Sequence, residues 1–191
     1  MERKRNSSGL AWRIAVLLLA CAIGLLQGCA SPAVGVNMVV SVDAVPRASR
    51  EPTLRGAIKI RNVAGGTETN PLWMSKVSDK EFAVALQGSL KSAQLLAADG
   101  QRPGYELDAT LLSLEQPMIG LDLTVTCAVR YDLHEAGTGK RVLGKTVSAP
   151  YTATFSDAFV AIERLRLANE GSVRTNLRQL LDALLELQIA K

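Results

Sequence analysis

Apolar residues recur along this chain at two periods, and the period decides each element. From Val36 to Val45 the even positions Val36, Met38, Val40, Val42 and Ala44 are apolar, which predicts a strand. Leu54–Val63 predicts a second, with Ile58 and Ile60 on one face. Tyr105–Glu115 alternates through Tyr105, Leu107, Ala109 and Leu111. Leu121–Leu133 is the clearest strand. Leu121, Leu123, Val125, Cys127, Val129, Tyr131 and Leu133 share one face, opposite Asp122, Thr124, Thr126, Arg130, Asp132 and His134. A one-residue slip would exchange these faces, so register is tightly set. Arg141–Phe155 alternates through Leu143, Val147, Ala149, Tyr151, Ala153 and Phe155, and Pro150 predicts an edge or a bulge.

The helical period appears twice. Ser78 followed by Glu81 reads as a capping box ahead of the stripe Phe82, Leu86, Leu90, Ala93 and Leu96 or Ala97. Asp99-Gly100 supplies the stop. A second helix is expected over 157–188, with Ser156 as N-cap and Asp157 favourable in the first turn. Phe159, Ile162 and Leu165 precede Gly171, and Val173, Leu177, Leu180, Leu181, Leu184 and Leu185 follow it. Glycine inside a helix costs about 1 kcal/mol relative to alanine, so a kink or break is expected near Asn169-Glu170-Gly171. The order is ββαβββα. One-sided alternation suits strands that bury one face under helices. The expected fold class is α+β: a two-layer sandwich with a mainly antiparallel five-stranded sheet and two helices on one face.

The first residues follow neither period. Arg3, Lys4, Arg5 and Arg13 are basic, and Ile14–Leu26 is an uncharged apolar run. That run fits the apolar region of a signal peptide and falls short of the ~20 residues that span a bilayer. It ends in Leu26-Gln27-Gly28-Cys29. A small residue before a cysteine at this place resembles the bacterial lipoprotein box. In that class the thiol is diacylglycerylated, the chain is cut before the cysteine, and the new amine is often acylated. Gln27 departs from the small or alcohol residue usual at its position. In Gram-negative lipoproteins an aspartate after the cysteine favours the inner membrane. Here it is Ala30, so the resemblance implies the outer membrane, with the domain facing the periplasm. The expected organisation is a signal peptide over 1–28, a lipidated tether over 29–35 with Cys29 as the lipidation site, and one α+β domain over 36–191.

Charge then changes meaning. The whole chain carries +4, but four of the 22 Lys/Arg and only one of the 18 Asp/Glu precede Cys29, which leaves about +1. No basic run remains and aromatics are only 4%, which argues against a nucleic-acid partner. A hydrophobic fraction of 48% excludes a disordered chain.

Candidate chemistry is sparse. Cys21 lies in the signal and Cys29 would carry lipid, so Cys127 is left without a disulfide partner and, on an apolar face, inert. One histidine, His134, cannot build a multi-histidine metal site, and no cofactor motif is present. His134 shares a strand face with Asp132, but period two makes such polar rows automatically. A surface histidine near a hairpin is the better reading, as solvation is for the carboxylates Asp122 and Asp132. The loop over 62–73 pairs Gly65 with Gly66 but lacks a Walker lysine or a dinucleotide glycine pattern, so it reads as a turn. Trp73, Arg166 and Arg174 are the candidate partner contacts, since tryptophan and arginine are enriched at contact hot spots. A packed loop and a solvated helix face are the plainer alternatives.

With this order in place, the chain resembles a group of small Gram-negative outer-membrane lipoproteins of poorly defined function. The segments that carry the likeness are TNPLWMSKVSDKEFAVALQGSL, YELDATLLSLEQPMIGLDLTVTCAVRYDL and YTATFSDAFVAIERLRLANEGSVRTNL. The pattern is similar to YajG-type lipoproteins and, more distantly, to auxiliary lipoproteins of lipid-transport ABC systems. The resemblance implies a non-enzymatic binding or assembly role with an envelope protein or lipid as partner, or an accessory part in lipid or lipopolysaccharide transport. Some members carry the label UDP-N-acetylglucosamine acyltransferase. Those enzymes are hexapeptide-repeat β-helices with a catalytic histidine, and neither the repeat nor the motif occurs in this chain.

Overall fold

The computed structural model describes residues 31–41, 54–69, 75–117 and 119–187. Four strands form one sheet in the order β1-β2-β3-β4: β1 Ile58–Ala64, β2 Tyr105–Glu115, β3 Leu123–Glu135 and β4 Arg141–Ala153. Two helices, α1 Asp79–Ser92 and α2 Ala161–Glu186, cover one face. β2, β3 and β4 are antiparallel neighbours, whereas β1 runs parallel to β2 and reaches it through α1. The architecture is thus the expected α+β two-layer sandwich with a mostly antiparallel sheet.

The alternation placed the strands well. Leu107, Ala109, Val125, Cys127, Val129, Tyr131, Leu133 and Ala149 are all fully buried under the helices. Leu107, Ala109, Cys127, Val129, Tyr131 and Leu133 meet Phe82, Leu86 and Leu90 of α1 and Leu177, Leu180 and Leu181 of α2 in the main core, while Val125 joins Leu123, Ala153, Leu165 and Ala168 in a second cluster. Leu121 is the exception on its predicted face, lying outside β3 and exposed. β4 is an edge strand, and Pro150 sits within it opposite Thr126, where a missing N–H need not break a ladder on both sides.

Three expectations are corrected. The sheet has four strands among the described residues, not five, because the segment expected as the first strand is something else. Gly35–Met38 is a 3₁₀ turn, Val39–Ser41 continues outside the sheet, and the rest of that prediction lies outside the described residues. Met38 and Val40 are buried, so the apolar pattern is real, but side chains replace the ladder. Val34 N–H donates to Glu170 Oε1 at 3.0 Å, Gly35 N–H to Glu81 Oε2 at 2.5 Å, and Val40 N–H to Ser89 Oγ at 3.0 Å. The segment therefore threads between α1 and α2. Gly35 permits the approach, because a Cβ there would lie 2.6 Å from the Glu81 carbonyl oxygen.

Second, α2 is unbroken at Gly171. The glycine is buried where the helix crosses β4, and a Cβ would meet the Tyr151 ring at 2.2 Å. Its small size serves packing, and the helix continues through it without interruption. Third, α2 starts later than expected. Its N-cap is Val160, with no side-chain cap, and Ser156 belongs to a preceding turn in which Asp157 Oδ2 accepts the Thr154 N–H at 2.7 Å. Ser78 does cap α1, accepting the Glu81 N–H at 3.3 Å. The returning half of the capping box is absent, since the Glu81 carboxylate is turned to Gly35.

Candidate functional site

α2 buries an unusual amount of polarity. Arg164, Asn169, Glu170, Ser172 and Asn176 are all buried on it. A buried polar group without a partner is costly, so each partner shows what the helix holds. Asn176 donates from Nδ2 to the carbonyls of Cys127 and Val147, at 3.0 and 2.8 Å, and accepts the Tyr131 hydroxyl at 2.7 Å. It pins α2 to β3 and β4 at once. Asn169 Nδ2 donates to the Ser75 carbonyl at 3.0 Å, and Gln116 Nε2 donates both to that carbonyl and to Asn169 Oδ1. Arg164 Nη1 donates to the carbonyls of Ala158 and Phe159 and closes the turn before the helix.

Glu170 is the hub for the N-terminal segment. Besides Val34 it accepts from Asn37 Nδ2, and it pairs with Arg166 Nη1 at 2.8 Å. Arg166 also forks onto Glu163, and this hydrogen bond holds the Glu163 carboxyl below its usual range. Arg174 donates from Nε and Nη2 to the Asn37 carbonyl. Of the residues nominated from sequence, Arg166 thus lies mostly inside a charge cluster, and Arg174 ties the N-terminal segment down from an exposed position. Trp73 and Cys29 lie outside the described residues.

Beside Arg174 the surface opens into a cleft of about 410 Å³ lined by Asn37, Val39, Val40, Ser41, Arg174, Thr175 and Arg178. Sequence reasoning did not find it. Arg174 and Arg178 share a helical face at i, i+4, but the opposite wall comes from a segment read as a strand.

The opposite face of the sheet is ionic. Asp108 and Asp132 stand directly across β2 and β3, a like-charge pairing that would destabilise the ladder if uncompensated. Arg61 forks onto Asp108, while Arg130 and Arg141 pair with Asp132. The Arg130 hydrogen bond keeps the Asp132 carboxyl below the usual range. His134 Nδ1 lies 3.7 Å from Asp108 Oδ2 and 3.5 Å from Arg61 Nη2. His134 thus belongs to a polar row on an open sheet face. Asp122 Oδ1 accepts the Phe155 N–H at 2.9 Å. Cys127 is wholly buried, and burial pushes its thiol up to about 12. In the loop after β1, Gly66 N–H donates to Asp79 Oδ1 and Thr67 N–H to the Val77 carbonyl, so its amides face protein. Among the described residues no group of His, Cys, Asp and Glu could hold a metal ion, and no helix is long and apolar enough to cross a membrane.

No family model matches the sequence, and no curated protein matches it significantly. Solved structures resemble it to different degrees. A Xanthomonas campestris protein of the DUF330 family superposes with a TM-score of 0.58 at 11% identity, covering 77% of this chain and 91% of its own. The PelC dodecamer of Paraburkholderia phytofirmans follows at 0.46 and 13% identity, covering 72% and 94%. A minor lipoprotein from Acinetobacter baumannii gives 0.44 at 8%, covering 68% and 92%. At these identities the first similarity establishes a common fold and nothing further. Neither a YajG-type identity nor the acyltransferase label is carried by these similarities.

Proposed function

We propose that this chain is a non-enzymatic lipoprotein of the Gram-negative envelope. It is cut before Cys29, acylated there and held on the outer membrane, with the sandwich domain in the periplasm as a binding or assembly module. One observation carries the reading: basic residues, the apolar run Ile14–Leu26 and Gly28-Cys29 stand in the order that export and lipidation require. Two or three acyl chains, at ~0.8 kcal/mol per buried CH₂, suffice for stable anchoring. The domain supports it, since its buried polar side chains on α2 are spent on holding helix, sheet and N-terminal segment together. Intact mass of the protein purified from membranes tests the reading. A chain beginning at Cys29 with acyl groups is expected, and Cys29→Ala should lose both the added mass and the membrane fraction. A mature form beginning at Met1 overturns it.

A lipid-handling role is favoured by the cleft, where Arg178 suits a phosphate- or carboxylate-bearing headgroup beside Arg174, which is held on the Asn37 carbonyl. Native mass spectrometry should then show bound phospholipid or lipopolysaccharide that Arg178→Ala releases. A clean apo mass for the wild type counts against this second role.

A further inference from the structure

One end of the molecule exposes an apolar cluster outside the core, touched from within by Arg164, whose guanidinium lies 5.3 Å from the Phe155 ring centroid. Ile119 is 90% exposed and Leu121 74% in the β2–β3 turn, and Phe159 is 80% and Val160 58% in the segment before α2. Phe155, 43% exposed, packs edge-on against Phe159 with ring centroids 5.1 Å apart. The two loops are joined by the Asp122–Phe155 hydrogen bond, so they form one surface. Two carboxylates of this end, Asp122 and Asp157, both accept backbone N–H groups. Isolated exposed apolar residues are ordinary, but a contiguous cluster marks a contact surface.

The start of the chain identifies the contact. Ala33 N–H donates to the Lys76 carbonyl, one residue from Ser75, which Gln116 and Asn169 hold. The N-terminal segment therefore enters the domain level with Asn169 of α2. From Asn169 back to Ala161 the helix covers about 12 Å toward the apolar end. The link from Cys29 to Ala33 reaches at most about 14 Å when extended. The lengths match, so an acyl group on Cys29 can lie in the plane of Phe159, Val160 and Ile119. The β3–β4 hairpin, around Thr138, is at the far end of the same strands.

We propose that this end is a membrane seat: Ile119, Leu121, Phe155, Phe159 and Val160 dip into the phospholipid leaflet that holds the acyl chains. Aromatic and aliphatic residues of this kind sit favourably at the headgroup–acyl boundary. The seat rests on the anchoring proposed above and adds an orientation to it. β3 and β4 would stand steeply on the leaflet, with the Thr138 hairpin pointing away.

The test uses the full acylated protein carrying Phe159→Cys or, as control, Thr138→Cys, labelled with a polarity-sensitive NBD dye. Cys127 is buried and does not compete for label. In vesicles of phosphatidylethanolamine and phosphatidylglycerol, the probe at 159 should brighten several-fold, shift to the blue and be quenched by spin-labelled lipid. The probe at 138 should behave as in water. A water-like probe at 159 on protein shown by mass to be acylated overturns the seat and leaves the anchor intact, whereas loss of acylation overturns the anchor. A blue shift at 159 that grows with protein concentration, with no quenching by lipid, assigns the surface to a second copy and also overturns the seat.

Discussion

Gly171 and Tyr151 are packed so closely that a Cβ on the glycine would lie 2.2 Å from the ring. Gly171→Ala should gain up to about 1 kcal/mol in helix propensity, yet the clash outweighs it. A net loss of about 1–3 kcal/mol is expected, read as a lower urea midpoint. Tyr151→Ala in the same chain should recover most of the loss in a double-mutant cycle. Equal losses with and without the ring would mean that the contact does not set helix position.

Glu170→Gln leaves Arg166 with a reduced partner in a cluster where the carboxylate is almost fully buried. A cost of about 2–4 kcal/mol is expected. Hydrogen exchange should quicken first at Val34, Gly35 and Asn37. Glu163→Gln, on the exposed side of the same arginine, should cost under about 1 kcal/mol.

Asn176→Leu leaves the Cys127 and Val147 carbonyls and the Tyr131 hydroxyl without their partner. Thermal or chemical unfolding should show a loss of about 2–4 kcal/mol. Tyr131→Phe removes one of the three bonds and should cost about 1 kcal/mol.

Asp132, Asp157 and Glu163 all have depressed carboxyl values, held down first by Arg130, by the Thr154 N–H and by Arg166 respectively. A depressed acid contributes stability that is complete above its unfolded value and lost as pH falls through the folded one. With unfolded values of 3.8 and 4.5, melting temperature should be flat at neutral pH and begin to fall below those values. All three sit at exposed or partly exposed positions, so salt should flatten the fall. A protein that gains stability on acidification through this range contradicts the assignment.

Cys127 should resist a thiol-reactive dye such as DTNB in the native state and react at once in denaturant, because its thiol is buried and shifted to about 12. Native reaction at the rate of a free thiol would place it elsewhere.

How far the sequence could be read depended on which force placed each element. Where burial of one face decided the matter, as for Tyr105–Glu115 and the Leu123–Leu133 stretch, period two located the strand to within two residues. Where polar groups decided it, the pattern misled. Val36, Met38 and Val40 alternate like a strand, but the N–H groups of Val34, Gly35 and Val40 are met by Glu170, Glu81 and Ser89, which are distant in sequence. Gly171 read as a breaker because its value lies in contact with Tyr151, twenty positions away on β4. Arg166 and Arg174 stood out by residue type, and only the fold shows that both are already tied to partners within the chain. The cleft beside Arg178 had no signal, since its walls come from segments far apart in sequence.

The threading of residues 33–40 between the two helices has a mechanical side. A load applied upstream of Ala33 does not tug at a loose end. It arrives among Lys76, Glu81 and Glu170, and the bonds that resist it bridge three separate parts of the chain. The grip makes residues 33–40 and the sandwich turn as one body, so a pull on Ala33 also sets which way the domain leans.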